Sequence, residues 1–310
     1  MNNPVYIIGA GAIGKALAVI LQNEGKDVHL IRGRITEKAL ASEQITIHLQ
    51  GGMSLQEDLP ITTLDQYAKL EGTVVITTKS HGNKDLASAL SKKAGKVQVV
   101  LLQNGLGVEQ PFIEQAFHSV MRCVLFVTGQ ITAENAVRFK AVRPSPIGVV
   151  YGRKDRLAEV VSLLHTTSFP FIEESDIEPV VWKKAIINCV FNSVCPLLEI
   201  DNGIFHREKE VLALGIDILR EGIATAHAKG IILKEEDVVE QLLQISKASD
   251  GQLISTLQDI IAKRPTEIET LNLAIAKMGQ DLGKENSVER NALLGKLIWW
   301  KSKLHRENHH

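Results

Sequence analysis

The chain has 310 residues, enough for two domains at roughly 150 residues each. Hydrophobic residues make up 45% and charged residues 23%, which excludes a disordered chain, a collagen-like repeat and a disulfide scaffold. With 35 Lys+Arg against 36 Asp+Glu the net charge is −1, so nothing draws the chain electrostatically toward nucleic acid or an anionic membrane. Cys123, Cys189 and Cys195 sit in apolar stretches without metal-ligand spacing and read as buried thiols of a reducing compartment. No apolar run reaches the roughly 20 residues of a bilayer span. The apolar start from Val5 to Leu21 lacks a basic lead and carries Lys15, unlike a secretory leader. A cytoplasmic protein is expected, with no metal, nucleic-acid or membrane partner.

In chain order, Val5–Ile8 reads as a buried strand, 12–24 as a helix and 28–31 as a second strand. The runs TVVIT (73–77) and VQVVLL (97–102) are continuously apolar, as parallel strands buried on both faces are. Helices are expected at 86–93 and 108–117, and further strands at 121–127, 136–142 and 147–151. This alternation implies a doubly wound parallel sheet of the Rossmann type. From residue 177 onward the pattern is helical, at 180–198, 208–229, 234–246, 253–262, 266–278 and 288–303. The expected organisation is α/β: a dinucleotide-binding domain over 1–173, then an all-α domain over 174–310.

Gly9-Ala10-Gly11-Ala12-Ile13-Gly14 is a GxGxxG that follows a strand and opens a helix, the context a dinucleotide site requires. Gly9 suits the tight turn, Gly11 the approach of a pyrophosphate, and Gly14 close helix–strand packing. The helix N-terminus adds unpaired N–H groups and a partial positive charge. The second strand ends in Arg32-Gly33-Arg34 where an NAD site usually has Asp or Glu. A guanidinium is a bidentate partner for a 2′-phosphate, so NADP is favoured over NAD. The alternative makes Arg32 and Arg34 solvated loop charges. Two later strands end in Thr78-Lys79 and Gln103-Asn104-Gly105. Ligands of open α/β sheets lie outside the carboxyl ends of the strands, which puts Lys79 and Asn104 beside the glycine loop. Asn-Gly is equally a common turn pair.

In the second half, the helix around Trp182–Asn192 is apolar except for Lys184, Asn188 and Asn192. Their i, i+4, i+8 spacing makes one polar stripe, facing either a polar cavity or a partner helix. Thr266 reads as an N-cap with Glu269 as its capping-box partner, and Glu267 as a first-turn carboxylate beside the helix dipole.

Together these segments resemble the ketopantoate reductase (2-dehydropantoate 2-reductase) family over nearly the whole chain. The resemblance rests on Gly9–Gly14, Thr78-Lys79, Gln103-Asn104-Gly105, the Lys184/Asn188/Asn192 helix, Asn202-Gly203 and the block from Ser255 to Glu267. It implies an oxidoreductase that reduces the ketone of 2-dehydropantoate to (R)-pantoate with NADPH, a step toward pantothenate and coenzyme A. It also implies that Lys184 donates the proton and that Asn104, Asn188, Asn192, Asn202 and Ser255 hold substrate together with Lys184. By the same resemblance Glu267 lies at the nicotinamide ribose, and Arg32, Lys79 and Asn104 bind cofactor with the glycine loop. A carboxylate such as Glu267 near Lys184 would keep it protonated.

The chain departs from the family at Asn272-Leu273, often Asn-Gly, at Gln252, often Asn, and at Thr128-Gly129-Gln130-Ile131, from which no site residue is carried over. The active site is expected in a cleft between the two domains. A paralogue reducing another branched 2-keto acid is the first alternative, and a non-catalytic dinucleotide sensor the second. The apolar C-terminal segment Ile298-Trp299-Trp300 makes a homodimer one option alongside a monomer.

Overall fold

The computed structural model describes residues 3–32 and 41–307. Arg34 lies outside the described residues. The chain divides into two compact units, one falling within Met1–Gln103 and Val108–Ile177, the other within Asn104–Gly107 and Glu178–His310.

The first unit carries β1 (Val5–Ile8), α1 (Ala12–Asn23), β2 (Val28–Arg32), β3 (Ala41–His48), β4 (Ser54–Thr63), β5 (Leu70–Ile76), α2 (Asn83–Ser91) and β6 (Ala94–Leu101). It continues with α3 (Gln110–Glu114), β7 (Ser119–Cys123), β8 (Val127–Ala133), β9 (Ala136–Ala141), β10 (Ser145–Gly152), α4 (Leu157–Leu164) and β11 (Phe171–Glu173). One sheet takes these strands in the order β11-β10-β7-β6-β5-β1-β2-β4-β3-β9-β8. From β4 through β2, β1, β5 and β6 to β7 every neighbouring pair is parallel. That is the strand order of a doubly wound dinucleotide-binding sheet, with its switch point between β1 and β5. Antiparallel pairings add β3 beyond β4 and β10 beyond β7.

Alternation along β1 shows why its run is apolar throughout. Val5 and Ile7 pack with Leu17, Leu21 and Leu164 on one face, while Tyr6 and Ile8 pack with Ala87, Leu90 and Phe112 on the other. α1 is buried from Gly14 to Leu21 because β8 and β9, besides β2, β3 and β4, lie against it. Lys15 lies inside that packing, only 5% exposed. Its Nζ donates to the Glu134 carbonyl at 2.6 Å and to Asn135 Oδ1 at 3.0 Å, tying α1 to the β8–β9 turn. Desolvation lowers its pKa from the usual lysine range.

Several expectations change. β3, β4 and β11 were not anticipated, and the strand expected at 121–127 is divided between β7 and β8. The first half of β4 alternates exposed and partly buried residues, most of them polar, which carries little of the signal of a core strand. The helix expected at 108–117 shrinks to α3; Ala116 takes φ 52, which ends it.

The second unit holds α5 (Ile177–Leu198), α6 (Ile204–Arg207), α7 (Lys209–Ala228), α8 (Glu235–Ala248), α9 (Ser255–Ile261), α10 (Asn272–Asp281) and α11 (Glu289–Glu307). The helix expected at 266–278 is broken into a 3-10 turn, Ile268–Thr270, and α10, with Leu271 at φ −112, ψ −108. Glu267, not Thr266, occupies the cap position of that turn, and no side-chain capping bond forms. The backbone is held there instead by Leu106 N–H, which donates to the Thr270 carbonyl at 2.8 Å. In α11, Ile298 is fully buried and Trp299 packs with Leu197 and Leu273, so of the Ile298-Trp299-Trp300 segment only Trp300 faces outward. No helix among the described residues is long and apolar enough to cross a membrane.

One buried carboxylate joins α7 to α11. Glu221 accepts from the backbone N–H groups of Arg290 and Asn291 and from Asn291 Nδ2, each at 2.9 Å, and so caps α11 from outside that helix. Glu221→Ala leaves these donors unpaired and should cost about 2–3 kcal/mol in chemical denaturation followed by circular dichroism. A loss below about 0.5 kcal/mol would mean that the cap carries no stability.

Candidate functional site

The glycine loop joins β1 to α1 at very close quarters. A Cβ on Gly14 would stand 1.8 Å from the Gly9 carbonyl oxygen, and one on Gly9, at φ 123, would stand 2.7 Å from Thr78 N. Thr77 Oγ1 donates to the Gly9 carbonyl at 2.8 Å and pins the turn to the end of β5. Gly11 is different, because nothing lies within 4 Å of its added Cβ. The open side of Gly11 looks onto a cavity of about 700 Å³, lined by the loop from Gly9 to Ile13 and by Arg32 and Lys79. Gly14 supports the loop from below. Such a volume is ordinary for a small-molecule site. Backbone without side chains, a helix N-terminus and two cations suit a dinucleotide pyrophosphate.

Thr77, Thr78 and His81 also line this cavity, and His81 belongs to none of the motifs visible in the sequence. Arg32 does not project alone, as its Nη2 donates to both carboxylate oxygens of Glu43 on β3. The absence of a carboxylate at the end of β2 therefore holds along the sequence but not in space.

Behind the strand ends is a buried amide pair. Asn83 Nδ2 donates to Gln103 Oε1 at 2.8 Å, and Gln103 Nε2 donates back to Asn83 Oδ1 at 2.7 Å and to the Thr78 carbonyl at 2.8 Å. Arg122, ion-paired with Glu109, reaches the Gln103 carbonyl at 3.3 Å. This network fixes the backbone immediately before Lys79 and Asn104.

Asn104 opens the loop that belongs to the second unit. The turn is made by Gly105, at φ 96, whose added Cβ would fall 2.3 Å from Thr270 Oγ1. Thr270 in turn donates to the Glu267 carbonyl through its N–H at 3.1 Å and its Oγ1 at 3.0 Å. The structure thus brings the Asn104 loop against the turn that carries Glu267.

α5 is apolar and buried on most sides, with Lys184 and Asn188 partly buried and Asn192 only 3% exposed. Asn192 Nδ2 donates to the Asn188 carbonyl at 2.9 Å. Its Oδ1 accepts from Ser255 Oγ at 3.3 Å and Thr256 N–H at 3.4 Å, so the stripe is joined to the start of α9. Asn202 stands apart from that bond. Its N–H donates to the Gln252 carbonyl at 2.9 Å and its carbonyl accepts from Ser246 Oγ at 2.7 Å. Its buried Oδ1 has no hydrogen-bond partner among the described residues. Burial pushes the Cys195 thiol up to about 12 and the Cys189 thiol up as well, so neither is a nucleophile at neutral pH.

Asp201, next to Asn202, accepts from Arg207 at 2.8 and 3.0 Å and from the N–H groups of Gly203 at 2.7 Å and Gly251 at 3.1 Å. The Arg207 bonds, followed by these N–H groups, hold its carboxyl well below the usual range. Its folded pKa lies below the unfolded one. Its stabilisation is therefore complete above about pH 4 and is lost as pH falls through the folded pKa. Asp201→Asn should flatten the acid limb of a stability-versus-pH curve below about pH 4; an unchanged limb would exclude this contribution. Two glycine variants separate fold from binding. Gly14→Ala should lower the melting temperature markedly, because backbone must move. Gly11→Ala should melt normally yet lose at least about tenfold in dinucleotide affinity, measured by fluorescence titration.

The family profile described as ketopantoate reductase PanE/ApbA matches residues 5–150, and that of its C-terminal part matches residues 176–298. A 2-dehydropantoate 2-reductase from Pyrococcus horikoshii is 28% identical over 95% of this chain and 95% of its own. The crystal structure of a PanE/ApbA family ketopantoate reductase from Ralstonia eutropha JMP134 superposes with a TM-score of 0.84 at 23% identity, covering 98% of this chain and 100% of that one. A D-mandelate dehydrogenase in a ternary structure with NADH and anilino(oxo)acetate has the same fold, with a TM-score of 0.81 at 20% identity, covering 97% of this chain and 99% of that one. The two profiles between them take in the glycine loop, both polar strand ends and the lysine–asparagine helix, and the chain belongs to the ketopantoate reductase PanE/ApbA family of oxidoreductases.

Proposed function

We propose that this chain reduces the ketone of 2-dehydropantoate to the alcohol of (R)-pantoate, using NADPH. The observation that carries the reading is the polar stripe of α5, a lysine and two asparagines on an otherwise buried helix, with Asn192 bonded to Ser255. Family membership supplies the substrate class.

The bound dinucleotide supplies the hydride. The residues of this chain do the rest. Hydride addition builds negative charge on the ketone oxygen, and Lys184 stabilises it and donates the proton. Asn104, Asn188, Asn192, Asn202 and Ser255 bind the substrate's carboxylate and hydroxyl without competing for that proton. The unpaired Oδ1 of Asn202 is an acceptor suited to such a hydroxyl. Glu267 would contact the nicotinamide ribose of the bound dinucleotide. The loop from Gly9 to Ile13, supported by Gly14, and Lys79 would hold the phosphates, and Arg32 would take the 2′-phosphate.

A second reading, a related reductase of another branched 2-keto acid, is favoured by one departure from the family. Asn272 is fully buried and donates to Asn291 Oδ1 at 3.0 Å, and Leu273 packs against Gly295. That stretch serves the α10–α11 contact, with Leu273 where the family often has glycine. The three buried free cysteines support a cytoplasmic setting. Leu293, Leu297, Trp300 and Leu304, all exposed along α11, support a homodimer; sedimentation of Trp300→Glu against the parent tests it.

Steady-state oxidation of NADPH with 2-dehydropantoate and a panel of 2-keto acids tests the substrate. A tenfold higher kcat/KM for another acid would favour the second reading. Lys184→Ala should lower kcat by about 10²–10⁴-fold with little change in NADPH affinity. Lys183→Ala is the control, since residue 183 points about 100° away on the same helix. Near-normal turnover of a folded Lys184→Ala protein would remove the proton-donor role.

A further inference from the structure

The ion pair between Arg32 and Glu43 joins residues 11 apart on two successive strands, β2 and β3, that are not neighbours in the sheet. Arg32 ends β2 and lines the cavity, whereas Glu43 belongs to β3. The Arg32 Nη2 donates to both oxygens of the carboxylate. The two side chains are 30% and 19% exposed, so the pair is only partly screened by water. The buried ammonium of Lys15 feels both partners, Glu43 raising its pKa and Arg32 lowering it, with desolvation the larger influence. Among the described residues, the cations of Lys15 and Arg32 and the carboxylate of Glu43 therefore share the corner where β2 ends.

An acidic side chain in such a corner normally accepts a hydrogen bond from the ribose 2′-hydroxyl of NAD, while an arginine there accommodates the 2′-phosphate of NADP. This chain has one of each, bonded to one another. A 2′-phosphate approaching Arg32 meets a guanidinium already donating to a carboxylate. It must displace that carboxylate or sit beside it, like charge against like charge. A 2′-hydroxyl meets no such conflict, because a carboxylate accepts from it.

We propose that Glu43 is a specificity-determining residue whose carboxylate competes with the 2′-phosphate for Arg32 and narrows the preference for NADPH over NADH. This inference rests on the reading that Arg32 takes the 2′-phosphate. Glu43→Gln keeps the size of the side chain and removes the competing charge. Among the described residues, Lys15 and Arg32 then face that corner without the Glu43 charge.

The test is a set of dissociation constants for NADPH and NADH, measured by fluorescence titration on the full chain and on Glu43→Gln, Arg32→Ala and the double variant. Thermal melts accompany each. Glu43→Gln should tighten NADPH about tenfold and raise the NADPH-to-NADH preference by a similar factor, the scale of one charge-assisted bond. The gain should shrink in the Arg32→Ala background. If Glu43→Gln melts early, Glu43→Thr, which suits a strand, is read in the same way. An unchanged or weaker NADPH affinity in the folded Glu43 variant, with Arg32→Ala still losing NADPH selectively, overturns the competition and leaves the cofactor reading standing. Equal loss of both dinucleotides in Arg32→Ala overturns the cofactor reading and the competition together.

Discussion

The first unit depends on how closely α1 crosses the end of β1. With no Cβ at residue 14, the helix backbone comes within contact of the Gly9 carbonyl, and Thr77 reaches that same carbonyl from β5. The approach sets the direction of the helix start. The helix start lines the cavity beside Gly11, and Arg32 and Lys79 arrive there from the ends of their strands. Any larger residue at position 14 would separate helix from sheet and open that corner, whatever the rest of the chain did. The apolar face of α1, with Leu17 and Leu21, then adds the burial that keeps the crossing in place.

Legibility in the sequence follows where each element gets its stability. β1, β2, β5 and β6 are buried on both faces, so their apolar runs announce them. β3 and β4 do not. Much of their length is half exposed, and their pairing is decided by a partner strand rather than by local composition. The Thr266–Glu269 capping pattern was misleading for a related reason. Its residues have the right chemistry, but the backbone there is committed to the Asn104–Gly107 loop through Thr270. Tertiary hydrogen bonds outweigh a local cap worth about 1 kcal/mol.

The candidate site divides along the same line. Residues within a single element could be read from spacing: the glycines, Lys79 at a strand end, and Lys184, Asn188 and Asn192 at helical intervals. The bond from Ser255 to Asn192 spans 63 residues, and only the family resemblance pointed to Ser255. Glu43 had no such guide. Nothing local marks it, because its importance comes from a side chain that meets Arg32 across β4, the strand between them. The Asn83–Gln103 pair was hidden in the same way, as two amides 20 residues apart whose role appears only once they face each other.

The burial of α1 has an electrical consequence. A helix on the surface of an open sheet has one flank in water, and water screens its field along the whole length. Here the β8–β9 hairpin covers that flank, and residues 14–21 are all buried. Charges interact about four times more strongly at an effective dielectric constant of 20 than at 80. The helix dipole is therefore shielded from solvent along its sides, and its positive end meets water at the first turn, where Gly11 opens. The Lys15 ammonium lies in the same sheath and adds its own charge near that pole. In this protein a hairpin that does not line the cavity strengthens the attraction of the loop for an anion.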